Sequence, residues 1–255
     1  MAYFDVAADA YVQFMGRFSA PLAEQFADVG LAGVDLDARV LDVGCGPGML
    51  TAVLAKRCGE AAVSAVEPME AFMAATAAAF PAADVRLARA EELPFADDVF
   101  GAALAQLVVH FMGDPVQGVR EMARVTAPGG RVSACVWDHA NERGALSPFW
   151  KVVHRHDPGA EGEGRLPGSW EGGLTEIFTG AGVREVEESL LTVSLEFATF
   201  EEWWTPFTMA VGPAGAYYLG LNQIERAGLV AALREEYGDG PMTVRASAWT
   251  ATGIV

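Results

Sequence analysis

The sequence predicts an α/β fold built on a doubly wound, mostly parallel sheet, and three observations carry that expectation. Residues 40–136 alternate short apolar runs with helical stretches, the pattern of a sheet covered on both faces. The first run, Val40-Leu41-Asp42-Val43, ends in the turn Gly44-Cys45-Gly46-Pro47-Gly48 and leads straight into an amphipathic segment. That is a buried strand, a tight turn and a helix start. Glycine allows the turn its unusual dihedrals and lets a ligand approach the backbone. Finally, 255 residues that are 52% hydrophobic and 20% charged supply the core of one large α/β domain, or of a core with an inserted cap, and exclude global disorder.

Taken in order, residues 1–30 read as helical and partly amphipathic, with Gly30 as the stop signal. The helix after the glycine turn runs to about Arg57. Residues 61–66 form a second strand that ends in Glu67-Pro68-Met69. An alanine-rich helix follows over 69–80, then a third strand over 84–88 and a fourth over 99–105, ending at Gln106. Asp114 caps a helix to about Thr126, and Pro128-Gly129-Gly130 turns it into a strand over 131–136. Farther on, Trp137, Phe149 and Trp150 are aromatic anchors, and the Gly- and Glu-rich stretch 158–173 reads as a mobile loop. A helix over 171–181 and a strand over 183–193 come next. Residues 200–237 are mostly helical, broken near Gly212-Pro213, and 242–254 closes the chain as a strand. There are no internal repeats.

Composition removes several function classes. The formal charge is −17, from 17 basic and 34 acidic residues, and the basic ones form no stripe, which argues against a nucleic acid substrate. The apolar run 101–111 contains Gln106 and His110 and falls short of a membrane span. No cationic segment followed by an apolar one opens the chain, so no signal peptide is expected. Cys45, Cys58 and Cys135 make no C-x-x-C and suit a reducing cytoplasm. His154 and His156 sit on opposite sides of a helix without further ligands, so no metal site is expected. A nucleophile elbow is absent. A dinucleotide fingerprint would place a third glycine where Met49 stands, and Gly48 comes one residue early, which disfavours a nicotinamide-dependent oxidoreductase.

The segment from Leu41 to Gly48 resembles motif I of class I S-adenosylmethionine-dependent methyltransferases. Upstream, Tyr11-Val12-Gln13-Phe14-Met15-Gly16-Arg17-Phe18-Ser19 is similar to a segment that precedes motif I in small-molecule enzymes of the ubiquinone-biosynthesis type, the methyltransferase type 11 group. The resemblance covers roughly residues 10–137. It implies a Rossmann-like sheet whose edge is an antiparallel hairpin of 183–193 and 242–254, with the helices between them as a lid. It also implies a division into an N-terminal helical cap (1–30), a cofactor-binding core (31–137), a partly inserted lid and acceptor region (138–241) and a final strand (242–255). The cofactor implied is S-adenosyl-L-methionine, leaving as S-adenosyl-L-homocysteine.

The implied roles fall on particular residues. Asp42, Gly44, Cys45, Gly46 and Gly48 hold the methionine part, and Tyr11 and Arg17 face its carboxylate; for Arg17 a surface position serves equally well. Glu67, followed by Pro68 and Met69, stands where open α/β nucleotide sites place an acid for the ribose hydroxyls. Ala90 and Glu91 match a pair that reads adenine, and Gln106 and Leu107 lie beside the methyl donor. Phe100-Gly101 departs from the family's frequent Phe-Asp.

Methyl transfer is an in-line displacement, so an enzyme chiefly aligns the reactants, and a base is needed only if the acceptor must lose a proton. His110, just past the fourth strand, is the first candidate base and His139 the second; a packed, structural His110 is the competing reading. Phe149, Trp150, Trp203, Trp204 and Tyr217 are expected to line a pocket for a small apolar or aromatic acceptor, with plain core packing as the alternative. The chain is read as a monomer or homodimer without membrane or nucleic acid partners. A catalytically idle cofactor-binding protein is the rival function.

Overall fold

The computed structural model describes residues 11–209 and 211–255. Its framework is a seven-stranded sheet in the order β3-β2-β1-β4-β5-β7-β6. The strands are β1 (Val40–Val43), β2 (Val63–Glu67), β3 (Asp84–Leu87), β4 (Phe100–Gln106), β5 (Thr126–Trp137), β6 (Arg184–Phe197) and β7 (Met242–Ile254). β1 to β5 pair in parallel, and β7 runs antiparallel to both β5 and β6. The edge hairpin expected from the sequence is therefore present. The order reverses at the β1/β4 junction, and the carboxyl ends of strands at such a junction form the crevice where open α/β sheets hold ligands.

Alternation along the central strands divides the interior in two. Val40, Ala102 and Leu104 point into one core, whereas Leu41, Val43, Ala103 and Ala105 point into the other. On the first side pack α1 (Arg17–Gly30), with Phe18, Leu22 and Phe26, and α2 (Met49–Cys58), with Leu50, Val53 and Leu54. On the second lie α4 (Pro115–Val125) and α6 (Gly173–Ala181), through Val119, Met122, Leu174 and Phe178. The alanine-rich α3 (Glu70–Ala79) buries only Phe72 and Thr76. Asp114 caps α4 as expected, its Oδ1 accepting the Gln117 N–H at 3.0 Å.

Two boundaries differ from the sequence reading, both because pairing partners override local signals. β5 begins at Thr126, before the Pro-Gly-Gly turn. Thr126 pairs with Phe100, and the register then jumps to Arg131 opposite Ala102, so residues 127–130 bulge out of the ladder. Likewise β6 continues past residue 193 to Phe197, because β7 offers a partner as far as Met242.

Between β5 and β6 stands α5 (Ser147–His156). Between β6 and β7 come α7 (Phe200–Trp204), a 3₁₀ turn (Thr205–Met209), α8 (Gly212–Gly220) and α9 (Gln223–Tyr237). Here the aromatic residues pack on one another. The Phe149 ring lies 5.1 Å from that of Phe207 and 6.3 Å from that of Trp204, both stacked, and Trp203 lies 5.2 Å from Phe207. Phe149, Trp150, Trp203 and Trp204 are all buried in the larger hydrophobic cluster. Phe149→Ala is accordingly expected to cost about 3–5 kcal/mol of stability, the usual range for emptying a buried phenylalanine site. Denaturant unfolding measures this, and a loss below about 1 kcal/mol would show that the cluster is loosely packed.

Among the described residues, no helix is long and apolar enough to cross a membrane.

Candidate active site

A cavity of about 370 Å³ opens at the carboxyl ends of β1, β2 and β4. Its walls contain Tyr11, Asp42, Gly44, Cys45, Gly46, Glu67, Pro68, Met69, Ala90, Glu91, Gln106 and Leu107. Twelve sequence-selected positions thus converge on one space from five separate stretches of chain. Gly48 starts α2 beneath the cavity instead, in a left-handed conformation at φ 91°. A side chain there would strike Phe80 at 2.9 Å. Arg17 does not line the cavity. Its Nη2 donates to Glu202 Oε1 at 2.8 Å, and its guanidinium lies 4.5 Å from the centre of the Phe197 ring, so it is directed toward α7 and the end of β6.

The turn is held open by its own backbone. The N–H groups of Gly44 and Cys45 both donate to the Val66 carbonyl, at 2.8 and 3.0 Å. The Gly46 N–H donates to Glu67 Oε2 at 2.9 Å, and the Thr76 hydroxyl donates to the Gly46 carbonyl at 2.7 Å. Gly46 has φ 53°, and a Cβ at this position would meet no atom within 4 Å: it would project into open space in the cavity wall. At Gly44 the reverse holds, because a Cβ would collide with Val108 at 2.2 Å. One glycine leaves room for a ligand; the other lets β1 and the β4 loop close together.

Two carboxylates face the cavity from the strand ends. Asp42 is buried, accepts from the Thr51 hydroxyl at 2.6 Å, and has its carboxyl pushed up to about 7 by burial. Glu67 bridges two backbone donors: its Oε1 accepts the Met69 N–H at 3.0 Å while Oε2 holds Gly46. Burial raises its pKa and those two hydrogen bonds oppose the rise. Each Glu67 oxygen retains a second lone pair, and two adjacent hydroxyls are matched by that pair of acceptors. Burial, then the charge of Glu67, pushes the Tyr11 phenol up to about 12, so it stays protonated as a donor. At the far wall Glu91 Oε1 accepts the Gly113 N–H at 2.7 Å and Arg89 Nη2 at 3.1 Å. Burial acts to raise the Glu91 pKa but is outweighed by its backbone hydrogen bonds and Arg89, leaving it below the ordinary range.

β4 ends in a distorted residue. Leu107 takes φ 59°, a conformation that a branched side chain adopts only where its surroundings enforce it. Its N–H donates to the Cys135 carbonyl at 2.9 Å, and the Gln106 amide donates to the Ser19 carbonyl at 3.0 Å. This kink feeds a 3₁₀ turn, Val109–Phe111, that carries His110.

A second, smaller chamber of about 30 Å³ shares Tyr11, Leu107 and Phe111 with the main cavity. His110 and His139 both line it, their rings 6.1 Å apart. Burial lowers both pKa values. For His110 the neighbouring His139 adds to the effect, and for His139 the charges of Glu163 and Asp138 oppose it. Phe149, Trp150, Trp203, Trp204 and Tyr217 line neither this chamber nor the main cavity. The helices carrying them fold so that these rings face one another, which removes more apolar area from water than an open pocket wall would. Glu163 and Trp137 instead complete the chamber. Trp137 is marked in the sequence only as an aromatic anchor, and nothing marks Glu163, which lies in the loop read as mobile. There its Oε2 accepts the Trp150 indole N–H at 2.8 Å.

Comparison with known proteins agrees with this geometry. Residues 41–134 match a family described as "Methyltransferase domain". A demethylmenaquinone methyltransferase of Corynebacterium kroppenstedtii is 49% identical over 43 residues, 17% of this chain and 19% of that protein. The chain thus aligns with about a fifth of the length of the curated relatives it matches first. Among solved structures, the YcgJ protein of Bacillus subtilis superposes with a TM-score of 0.57 at 16% identity, covering 93% of this chain and 98% of that one. Geranyl diphosphate C-methyltransferase of Streptomyces coelicolor, solved with Mg²⁺, geranyl diphosphate and S-adenosyl-L-homocysteine, gives 0.54 at 17% identity, covering 94% and 80%. Residues 41–134 thus resemble a methyltransferase domain, and the chain as a whole shares the fold of the solved structures named.

Proposed function

We propose that the chain transfers the methyl group of S-adenosylmethionine to a small, largely apolar or aromatic acceptor bound beside the β4–β5 edge. The observation that carries this reading is the junction of the two cavities: a polar, acid-walled one large enough for a nucleoside ligand, and a small one walled by Phe14, Met15, Leu146 and the two histidines. The residues present fit the cofactor. Gly46 leaves open space in the wall, Glu67 offers two adjacent acceptors, and Asp42 supplies a carboxyl that a cation beside it would ionise.

In this reading Glu67 holds the ribose hydroxyls, Glu91 and Ala90 the adenine, and Asp42 with the loop Gly44–Gly46 the methionine end. Bound there, S-adenosylmethionine supplies an electrophilic methyl group on a positively charged sulfur. The chain supplies alignment: the Leu107 kink and the Tyr11 and Phe111 walls set the direction from which an acceptor approaches. His110 and His139 are the assigned proton acceptors. The names of the matched relatives support an aromatic, quinone-type acceptor, as does the excess of negative charge, which disfavours strongly anionic substrates. The N-terminal helix and the helices between β6 and β7 act as cap and lid.

Calorimetric titration with S-adenosylmethionine, S-adenosylhomocysteine and NAD, followed by mass spectrometry of a hydroquinone and phenol panel, tests the reading. Binding of the first two ligands, none of NAD, and a 14 Da gain on an acceptor are expected. Cofactor binding without any methylated product across that panel would leave an idle binding protein as the answer.

A further inference from the structure

Three side chains in the small chamber are buried without a partner. Trp137 Nε1, His110 Nδ1 and His139 Nε2 find no hydrogen bond among the described residues, although the three residues are only 2%, 5% and 7% exposed. They arise from different elements: Trp137 ends β5, His139 follows it, and His110 stands on the turn after β4. All three line the same space. Orphan polar atoms are expensive to bury, and a cluster of three in one place calls for an occupant.

Their chemistry narrows that occupant. An indole N–H only donates, so the group it meets must present a lone pair. An ammonium has none. A neutral imidazole carries one donor and one acceptor nitrogen, so the two histidines between them can offer a lone pair as well as an N–H. Among the described lining residues the one carboxylate is Glu163, and no lysine or arginine is present. A carboxylate or phosphate would therefore be desolvated there without a counter-charge. One oxygen carrying one proton satisfies every condition. It accepts from the Trp137 indole and donates to an imidazole; the chamber of about 30 Å³ has room for that hydroxyl, and the ring that bears it extends past the shared Tyr11, Leu107 and Phe111 wall toward the main cavity.

We infer that Trp137, His110 and His139 form a socket for the hydroxyl group of a neutral hydroxy-arene or enol, and that this group selects the acceptor. The inference rests on the proposed methyl transfer and goes further by fixing the acceptor's functional group. Trp137 in this role is a specificity-determining residue. The methylated atom is the hydroxyl oxygen or a ring carbon made nucleophilic by it. The hydroxyl proton passes to the imidazole in either case, and the new methyl bond forms as the carbon–sulfur bond breaks, that bond's electron pair staying on sulfur. Where carbon is methylated, the ring C–H proton then leaves that carbon and a proton returns to the oxygen, so one proton is released in both reactions.

Binding measurements test this without turnover. Protein saturated with S-adenosylhomocysteine is titrated with 4-ethylphenol, ethylbenzene, 4-ethylaniline and 4-ethylbenzoate. The phenol is expected to bind at least tenfold tighter than each of the others, and Trp137→Phe and His139→Phe should shrink the phenol-to-ethylbenzene ratio to within threefold. Because the His139 atom has no protein partner, His139→Phe should keep or raise the thermal midpoint of the ligand-free protein, whereas Trp137→Phe, which empties part of a buried site packed on Phe18, should lower it while still collapsing the ratio. Equal affinity for phenol and ethylbenzene, or an aniline that binds as tightly as the phenol, overturns the inference. So does a drop in the midpoint with an unchanged ratio, which marks a structural role. Failure to bind S-adenosylhomocysteine at all would instead strike the cofactor reading.

Discussion

His110→Ala is expected to lower kcat by about 10²–10⁴ while S-adenosylhomocysteine still binds, the loss that follows when a positioned base is removed. The imidazole is buried on the turn after β4, it lines the chamber that adjoins the cofactor cavity, and its Nδ1 has no partner among the described residues. Its ring lies 3.9 Å from that of Phe111, which limits its swing. The charged and titratable neighbours that bear on it are His139 directly and, through His139, Glu163 and Asp138. Burial and His139 hold the His110 pKa well below 6.5, so the imidazole is neutral throughout the neutral and alkaline range. A pH profile should therefore be flat from about pH 6.5 upward and fall only in more acidic solution, where protonation removes the acceptor lone pair. The same depressed value fixes the sign of the stability effect: the neutral folded form is favoured above the unfolded pKa, and that contribution is lost as pH falls toward the folded one. A packing histidine gives another pattern, in which His110→Ala melts earlier and turns over at a normal rate across pH 6–9.

Glu67→Ala is expected to weaken S-adenosylmethionine binding by roughly tenfold to a hundredfold. Hydrogen bonds to a charged group contribute about 1.5–3 kcal/mol, and this carboxylate offers one free lone pair from each oxygen. The structure adds a second route to the loss. Glu67 ties the Gly46 and Met69 N–H groups at 2.9 and 3.0 Å, so its removal also frees the glycine loop. Asp42 brings a pH dependence to the same measurement. With its carboxyl at about 7 in the free protein, it contributes stability at low pH that is lost as pH rises through that value. A cationic ligand reverses the preference, so binding below about pH 7 should release a proton, and affinity should fall by up to tenfold per pH unit of acidification. Calorimetry in buffers of differing ionisation enthalpy reads that proton directly. Unchanged affinity in a folded Glu67→Ala protein would refute the ribose role. Identical apparent enthalpies in all buffers at pH 6 would refute the Asp42 linkage.

By itself the sequence determined the sheet and the cofactor side of the site. The reason is local. A strand, its turn and the helix after it are contiguous, so the residues that a nucleotide crevice needs stand at strand ends, where pattern and glycine spacing reveal them. Asp42, Gly44, Gly46 and Glu67 reached the cavity on that logic, and Glu91, beyond the end of β3, through the family resemblance. The two closing strands were legible too, and the resemblance implied that they pair as an antiparallel hairpin.

Around the small chamber the sequence had marked His110 and His139 as candidate bases, and the tertiary structure decided the rest. Phe149, Trp203 and Trp204 have the composition of a pocket wall, but two helices distant in sequence, α5 and α7, converge and turn those rings toward one another. Arg17 carries a fork suited to a carboxylate, and Glu202 on α7 captures it. Trp137 and Glu163, meanwhile, acquire their meaning only when β5, the loop after it and the turn after β4 close around one small space. Hydrophobic burial is non-directional, so pattern reports that a ring will be buried but not against what. Only the packed chain could show which polar atoms were left without partners.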